Sequence, residues 1–360
     1  MIEEGHGNLL TADVEAVVNT VNTVGVMGKG IALQFKRAYP ANYAAYRAAC
    51  QRGEVRLGQV FVVDTAIKGP RRYVINFPTK GHWKSDSRLA DIEAGLDDLV
   101  RVVTERGITS LAVPALGCGN GGLEWARVRP LIEAASRRIP QVRVVLYAPE
   151  GAPAADRMPN ATSRPPLNQL RALLLAAIGR YLDRACLQEV REGISELEIQ
   201  KLAYFLTVLG SPYPLQFARG HYGPYAEQLR HVLDRIEGHY LIGLGDHSAR
   251  VRDLAPINLT PGSREQAESV LEGSSDDLRR LEELLDLVDG FETPYSLELL
   301  ATVHYAAQQD PATAQVEELS RRVAAWNLRK ARLFTDRHVQ VAAQRLRAQG
   351  MLPEPAVAIG

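Results

Sequence analysis

A chain of 360 residues with 46% apolar and 23% charged side chains has the composition of a soluble globular protein, and its length suggests two domains. Its 42 basic and 42 acidic residues cancel, which excludes nucleic-acid binding through a wholesale basic face. The balance is uneven: residues 1–150 hold 19 basic and 15 acidic residues, about +4, which leaves about −4 for the remainder.

Three widely spaced cysteines, Cys50, Cys118 and Cys186, form no C-x-x-C pair. That argues against a disulfide framework and a metal site, and it fits a reducing cytoplasm. The N-terminal MIEEGHGN has no basic segment followed by an apolar core, and no long apolar run occurs. Neither a signal peptide nor a membrane span is expected.

Through residue 150, short apolar runs alternate with helical patterns. Asp13–Val18 is a strand candidate. Ile31–Tyr39 and Tyr43–Gln51 carry helical spacing, with Pro40 between them and Gly53 ending the second. Val60–Val63 and Tyr73–Phe77 read as strands. Leu89–Arg106 sets Ile92, Leu96, Leu99, Val100 and Val103 on one face and stops before Gly107, which predicts an amphipathic helix. Ser110–Val113 is a strand, Val128–Arg138 a helix and Val142–Tyr147 the last strand. The alternation predicts an α/β domain over residues 1–150 with a largely parallel sheet. Ligands of such sheets bind beyond the carboxyl ends of the strands, so the loops after Val18, Phe77, Val113 and Tyr147 should share one rim.

Residues 151–166, GAPAADRMPNATSRPP, lack periodicity and read as a semi-rigid linker. Residues 167–360 are mostly helical: Leu167–Tyr181, Glu196–Leu209, Tyr225–Glu237, a long acidic Arg264–Val288, Tyr295–Ala307 and Asp336–Gln349. Phe217–Tyr225 reads as an aromatic loop.

Three rim segments carry the candidate chemistry. Val17–Gly30 (VVNTVNTVGVMGKG) reads as a buried strand, a glycine-spaced loop from Asn19 and a helix start. A loop feeding a helix N-terminus offers unpaired N–H groups and partial positive charge, which suit phosphate. The second segment is Asn76–Lys84, NFPTKGHWK. The third, Pro114–Gly122 (PALGCGNGG), can present several N–H groups to a diphosphate. None of the three holds a carboxylate, so the two-carboxylate scheme of many glycosidases is not expected.

Taken together, Gly7–Leu10, Val17–Asn22, Met27–Gly30 and Val113–Gly119 resemble the macrodomain, an ADP-ribose-binding fold, over about residues 1–150. The resemblance implies a three-layer α/β domain with a mixed, largely parallel sheet, ADP-ribose as ligand or product, and no cofactor. Lys80, after the middle strand, is similar to the mark of the branch that hydrolyses terminal ADP-ribose links. Phe77–Trp83 looks most like DarG-type antitoxins, whose macrodomain removes ADP-ribose from thymidine in single-stranded DNA after a partner toxin, DarT, has placed it there. Carried over residue by residue, the resemblance implies ADP-ribose contacts at Asn8, Leu9, Asn22, Gly28, Gly30, Ile31, Gly117, Cys118, Gly119, Asn120, Gly121, Gly122, Leu123 and Tyr147. Two positions depart from the family pattern. Asn8 stands where an aspartate commonly accepts from the adenine amino group. Gly121 stands where some hydrolases carry an aspartate.

Catalysis is therefore expected from Lys80, with Asn22 orienting the distal ribose across the cleft. A lysine nucleophile needs a neutral amine, hence a lowered pKa, and His82 and Lys84 are the expected cationic neighbours. His82, Trp83 and Lys84 are also candidate DNA contacts, Trp83 by stacking on a base. Lys68, Arg71, Arg72 and Arg88 could follow a strand backbone, and Lys29 could meet a phosphate. Asn19 is expected to be structural, and Cys118 to be a packed residue rather than a nucleophile.

Lys201–Glu227 resembles a helical module found in several antitoxins, which implies that the C-terminal domain sequesters the toxin. Glu265–Asp289 is the candidate acidic surface for the toxin's DNA-binding groove. The expected partners are ADP-ribosylated single-stranded DNA and the cognate DNA ADP-ribosyltransferase toxin, without a membrane. The alternatives are a module that reads ADP-ribose without cleaving it, and a macrodomain fused to a transcription regulator with Phe334–Leu352 in a winged helix.

Overall fold

The computed structural model describes residues 1–67, 69–188, 191–212, 215–249, 255–308 and 315–353. Lys68 lies outside the described residues. The chain forms two compact units: Met1–Ser163 with Gly245–Asp253, and Arg164–Leu244 with Leu254–Gly360.

In the first unit, the elements are β1 (Ile2–Gly5), β2 (Ala16–Asn22), α1 (Gly30–Ala38), α2 (Pro40–Gln51), β3 (Phe61–Asp64), β4 (Tyr73–Lys80), α3 (Leu89–Arg106), β5 (Ser110–Val113), α4 (Trp125–Arg137) and β6 (Arg143–Tyr147). The sheet order is β1-β6-β5-β2-β4-β3, parallel throughout except for β3 against β4. Side chains alternate along β2. Ala16 and Val18 join a core with Ile92, Leu96, Val128 and Ile132 of α3 and α4. Val17 packs with Phe35 of α1, and Val21 with Tyr46 of α2. Helices thus cover both faces, giving the three-layer, largely parallel architecture expected.

Several boundaries differ from the sequence reading. β1 was not anticipated: its four residues include two glutamates and no apolar alternation, and pairing with β6 orders it. Pro40 does not merely separate two helices; it starts α2, where its missing N–H leaves no intrahelical bond unmade. β2 runs on to Asn22 and β4 to Lys80, so Asn19, Asn22 and Asn76–Lys80 belong to strands rather than loops. Polar side chains ended the apolar signal there, while the backbone ladder continued. Pro78 is tolerated because β3 stops opposite Asn76, so β4 has no neighbour on that side at Pro78. The register slips at Val21/Asn22, and Asn22 is brought level with Lys80.

Buried amides tie these strands together. Asn19 Nδ2 donates to Asn76 Oδ1 (3.1 Å), and Asn76 Nδ2 donates to Asn42 Oδ1 on α2 (2.7 Å). Asn19 is accordingly structural. On the other face, a Cβ placed on Gly95 of α3 would lie 2.3 Å from the Phe77 ring of β4. Gly95→Ala should destabilise the first unit by about 1–3 kcal/mol through overpacking, despite alanine's better helix propensity. Thermal unfolding of the full chain checks this, and an unchanged first-unit melting temperature would remove the close-approach argument.

The second unit contains α5 (Gln169–Gln188), α6 (Glu196–Val208), the hairpin β7 (Ala218–Gly220) and β8 (Gly223–Tyr225), α7 (Glu227–Ile236), the pair β9 (Leu241–Ile242) and β10 (Asn258–Leu259), α8 (Ser263–Leu271), α9 (Ser275–Val288), α10 (Pro294–Gln308), α11 (Val316–Ala324), α12 (Leu328–Leu333) and α13 (Asp336–Ala348). One contiguous apolar core runs through it, and α6 and α10 also bury charged side chains, among them Glu198, Lys201 and Glu298. The expected aromatic loop is a hairpin, because Gly223 at φ +98° permits the tight reversal. The expected long acidic helix is two helices, broken before Ser274, whose side chain accepts from Asp277 N–H and caps α9. Its carboxylates are largely paired: Glu268 and Glu282 with Arg180, Asp286 with Arg184, and Asp276 and Glu283 with Arg279. α13 buries Val339, Ala342, Ala343 and Leu346. Among the described residues, no helix is long and apolar enough to cross a membrane.

Candidate active site

The first rim segment is built around Asn22, which is 5% exposed. Its Oδ1 accepts from the N–H groups of Val24 (3.0 Å) and Val26 (3.2 Å), and its Nδ2 donates to Val26 O (2.6 Å). Tyr46 Oη donates to Asn22 O at 2.5 Å. The Asn22 amide therefore shapes the glycine loop, a local turn role that asparagine performs well. Thr23 joins this loop to the second segment, donating from N and Oγ1 to Gly81 O (3.2 and 2.8 Å). Gly28 is exposed and Gly30, at φ +63°, starts α1. Ile31 is half-buried against the Leu9 and Phe35 core.

Lys80 is the last residue of β4 and stands beside Asn22 in the adjacent parallel strand, not across a cleft from it. Neighbouring strands lie about 4.8 Å apart, so the two residues sit side by side at the end of the sheet. Lys80 Nζ donates to Asn120 O at 2.6 Å. A Cβ on Gly30 would lie 3.3 Å from Asn120 Nδ2, so the first and third segments face each other at this point. Burial holds the Lys80 ammonium below the ordinary lysine range, and the Asp86 carboxylate partly offsets it. The expected cationic helpers do not act here. Lys84 Nζ sits 4.8 Å over the Trp83 ring, and His82 stacks on that ring at 5.3 Å. The three form an exposed platform, with Trp83 at 49% exposure.

The third segment turns on Gly117 (φ +72°) and Gly122 (φ +74°), with Leu123 N–H returning to Gly117 O (3.0 Å). Gly119 and Asn120 are exposed. Cys118 is half-buried, and burial raises its thiol to about 11. Gly121 O accepts from Ser87 N–H (2.9 Å), and a Cβ on Gly121 would fall 2.2 Å from Ser87 Oγ and 2.5 Å from Gly117 O. Asp86 and Ser87 are site residues that sequence reasoning missed, because they follow the presumed loop end; the Ser-Asp-Ser run is itself a turn signal. The close fit makes a prediction. Gly121→Asp, which introduces the residue some hydrolases carry there, should weaken ADP-ribose binding at least tenfold by displacing the loop. Calorimetric titration with ADP-ribose checks it, and tighter binding would contradict the packing.

At the far end, Asn8 Oδ1 accepts from Leu10 N–H (2.9 Å) and Asn8 Nδ2 donates to Arg157 O (3.0 Å). Leu9 is buried, so its side chain packs in the core. Tyr147 lies against Gly5, where a Cβ would come within 2.5 Å of its ring. Among the described residues, no group of histidine, cysteine and carboxylate side chains could hold a metal ion.

A Macro domain family model matches residues 18–132, which makes the first unit a macrodomain. Over nearly the whole chain, a DNA ADP-ribosyl glycohydrolase of Mycobacterium tuberculosis is 45% identical, covering 96% of this chain and 99% of the relative. One from Thermus aquaticus is also 45% identical, covering 98% and 94%. A DNA ADP-ribosyl transferase-DNA ADP-ribosyl glycohydrolase fusion protein of Thermosipho africanus is 36% identical over 40% of each chain. This chain belongs to the DNA ADP-ribosyl glycohydrolase family.

Proposed function

We propose that this protein is an antitoxin whose macrodomain cleaves ADP-ribose from thymidine in single-stranded DNA, and whose helical unit sequesters the toxin that attaches it. The observation that carries the reading is the partly desolvated Lys80, held by Asn120 O beside Asn22 at the rim of the sheet. Burial favours its neutral amine, the form able to attack. The amine attacks the anomeric carbon directly, forming a C–N bond to lysine and shedding a proton. The bond to the base nitrogen breaks, and the nitrogen takes a proton. Water then hydrolyses the lysine adduct, releasing ADP-ribose and restoring the amine.

The glycines at 28, 30, 117, 119, 121 and 122 supply the backbone that cradles the diphosphate, and Asn8 and Tyr147 border the adenine. The Trp83 platform, with Lys84, suits an unpaired base and its phosphate. The near full-length relatives support the glycohydrolase reading, and the transferase–glycohydrolase fusion supports a transferase partner. The test is incubation of the full chain with an ADP-ribosylated thymidine oligonucleotide. Released ADP-ribose and unmodified oligonucleotide are expected; tight binding without release would instead make the protein a reader.

A further inference from the structure

Helix α1 begins at the ligand loop but has no local cap. Its N-cap, Lys29, makes no side-chain capping hydrogen bond, and its first turn holds no acid. Lysine is a poor N-cap, and an anion is what a helix start favours. The first N–H of the helix is instead met from far along the chain, by a main-chain carbonyl of the Gly245–Asp253 segment of the same unit. Gly30 N–H donates to Asp246 O (2.8 Å). Gln34 Nε2 donates to Asp246 Oδ2 (2.6 Å), and Arg37 Nη1 donates to Gly245 O (2.6 Å). Gly30, Gln34 and Arg37 lie on one face of α1. Ser248 fills the other carboxylate oxygen, donating from N and Oγ to Asp246 Oδ1 (2.9 and 2.5 Å). Asp246 is 3% exposed, Gln34 4% and Arg37 7%, so this is a buried junction. His247 adopts φ +61°, a conformation that a non-glycine residue holds at a cost and that the surrounding bonds maintain.

We propose that Asp246 is a positioning residue for the ADP-ribose site. It acts through Gly30, whose placement sets the gap to Asn120 and so the separation of the two glycine loops. The next N–H of the same turn belongs to Ile31, assigned above to the ligand. Lys80 is held independently, from β4 and Asn120 O. Asp246 should therefore govern affinity more than the chemical step. The proposal rests on reading Gly28–Ile31 as a wall of the ADP-ribose site.

The experiment uses the full chain as wild type, Asp246→Ala and Asp246→Asn, titrated with ADP-ribose by calorimetry and assayed in single turnover on ADP-ribosylated oligonucleotide. Asp246→Ala keeps the main-chain carbonyl that meets Gly30 but removes the buried carboxylate bonds to Gln34 and Ser248 that hold it in place, which predicts a Kd raised about tenfold, with the saturated single-turnover rate changed less than about threefold. Asp246→Asn keeps the main-chain carbonyl and one side-chain carbonyl acceptor, giving up only the second carboxylate oxygen, and should hold affinity to within about threefold of wild type. Equal or tighter binding by a folded Asp246→Ala, or a loss confined to the saturated rate, overturns the assignment. A wild type that binds no ADP-ribose overturns the reading of the site itself.

Discussion

Lys80→Ala should lower the single-turnover rate of ADP-ribose release by about 10³-fold or more, the scale on which removing a nucleophile or its proton transfer acts. The melting temperature should barely move, because the bond lost is the exposed one to Asn120 O. Lys80→Arg sharpens the result. Arginine keeps the positive charge but stays protonated at any accessible pH, so it cannot attack. If Lys80 served only by charge, the arginine variant would retain most of the rate, and the nucleophile assignment would fall. The pH profile gives an independent sign. The reactive form is the deprotonated amine, and burial lowers the Lys80 pKa. The rate should climb with pH and level off below the ordinary lysine value of 10.5. A rate independent of pH across that approach would contradict attack by the amine.

Glu298→Ala should unfold much of the second unit's stability. Lys330 Nζ lies 2.6 Å from Glu298 Oε1 with both side chains fully buried, and Arg329 makes a two-bond contact with the same carboxylate (2.6 and 3.1 Å). Removing the carboxylate strands a buried ammonium, a loss of about 3–5 kcal/mol. Differential scanning calorimetry should show the second-unit transition lowered by about 6–20 °C. The double variant Glu298→Ala, Lys330→Met should recover part of it; a lone Glu298→Ala shift within a degree would remove the argument.

Lys201 belongs to the same cluster. Its Nζ donates to Pro224 O (2.8 Å), and burial, then the charge of Lys330, lower its pKa to about 7. The unfolded chain therefore binds more protons than the folded one between pH 7 and about 10.5. The contribution of this group is complete above that window and is lost as pH falls through it. The stability of the wild type relative to Lys201→Met should rise as pH rises from 7 to 10.5.

What the chain's letters determined by themselves is the scaffold and the chemical inventory. Leu89–Arg106 and Ser110–Val113 were legible to the residue, because apolar periodicity there coincides with burial and Gly107 supplies the left-handed stop. The glycine spacing and Lys80 were visible as residue types that a diphosphate site and an amine nucleophile require. Local pattern could not place polar residues that continue a strand, which is why Asn22 and Lys80 were read as facing loops. Pairing of β2 with β4, and the slip at Val21/Asn22, sets them side by side. Nor could it show that Lys84 would be drawn to Trp83, or that Asp86 rather than a cation would bear on Lys80. The cap of α1 is the extreme case. Lys29 marks only an absence, and Asp246, more than 200 residues along the chain, becomes its complement only when the fold closes, since a hydrogen bond records distance in space and not in sequence.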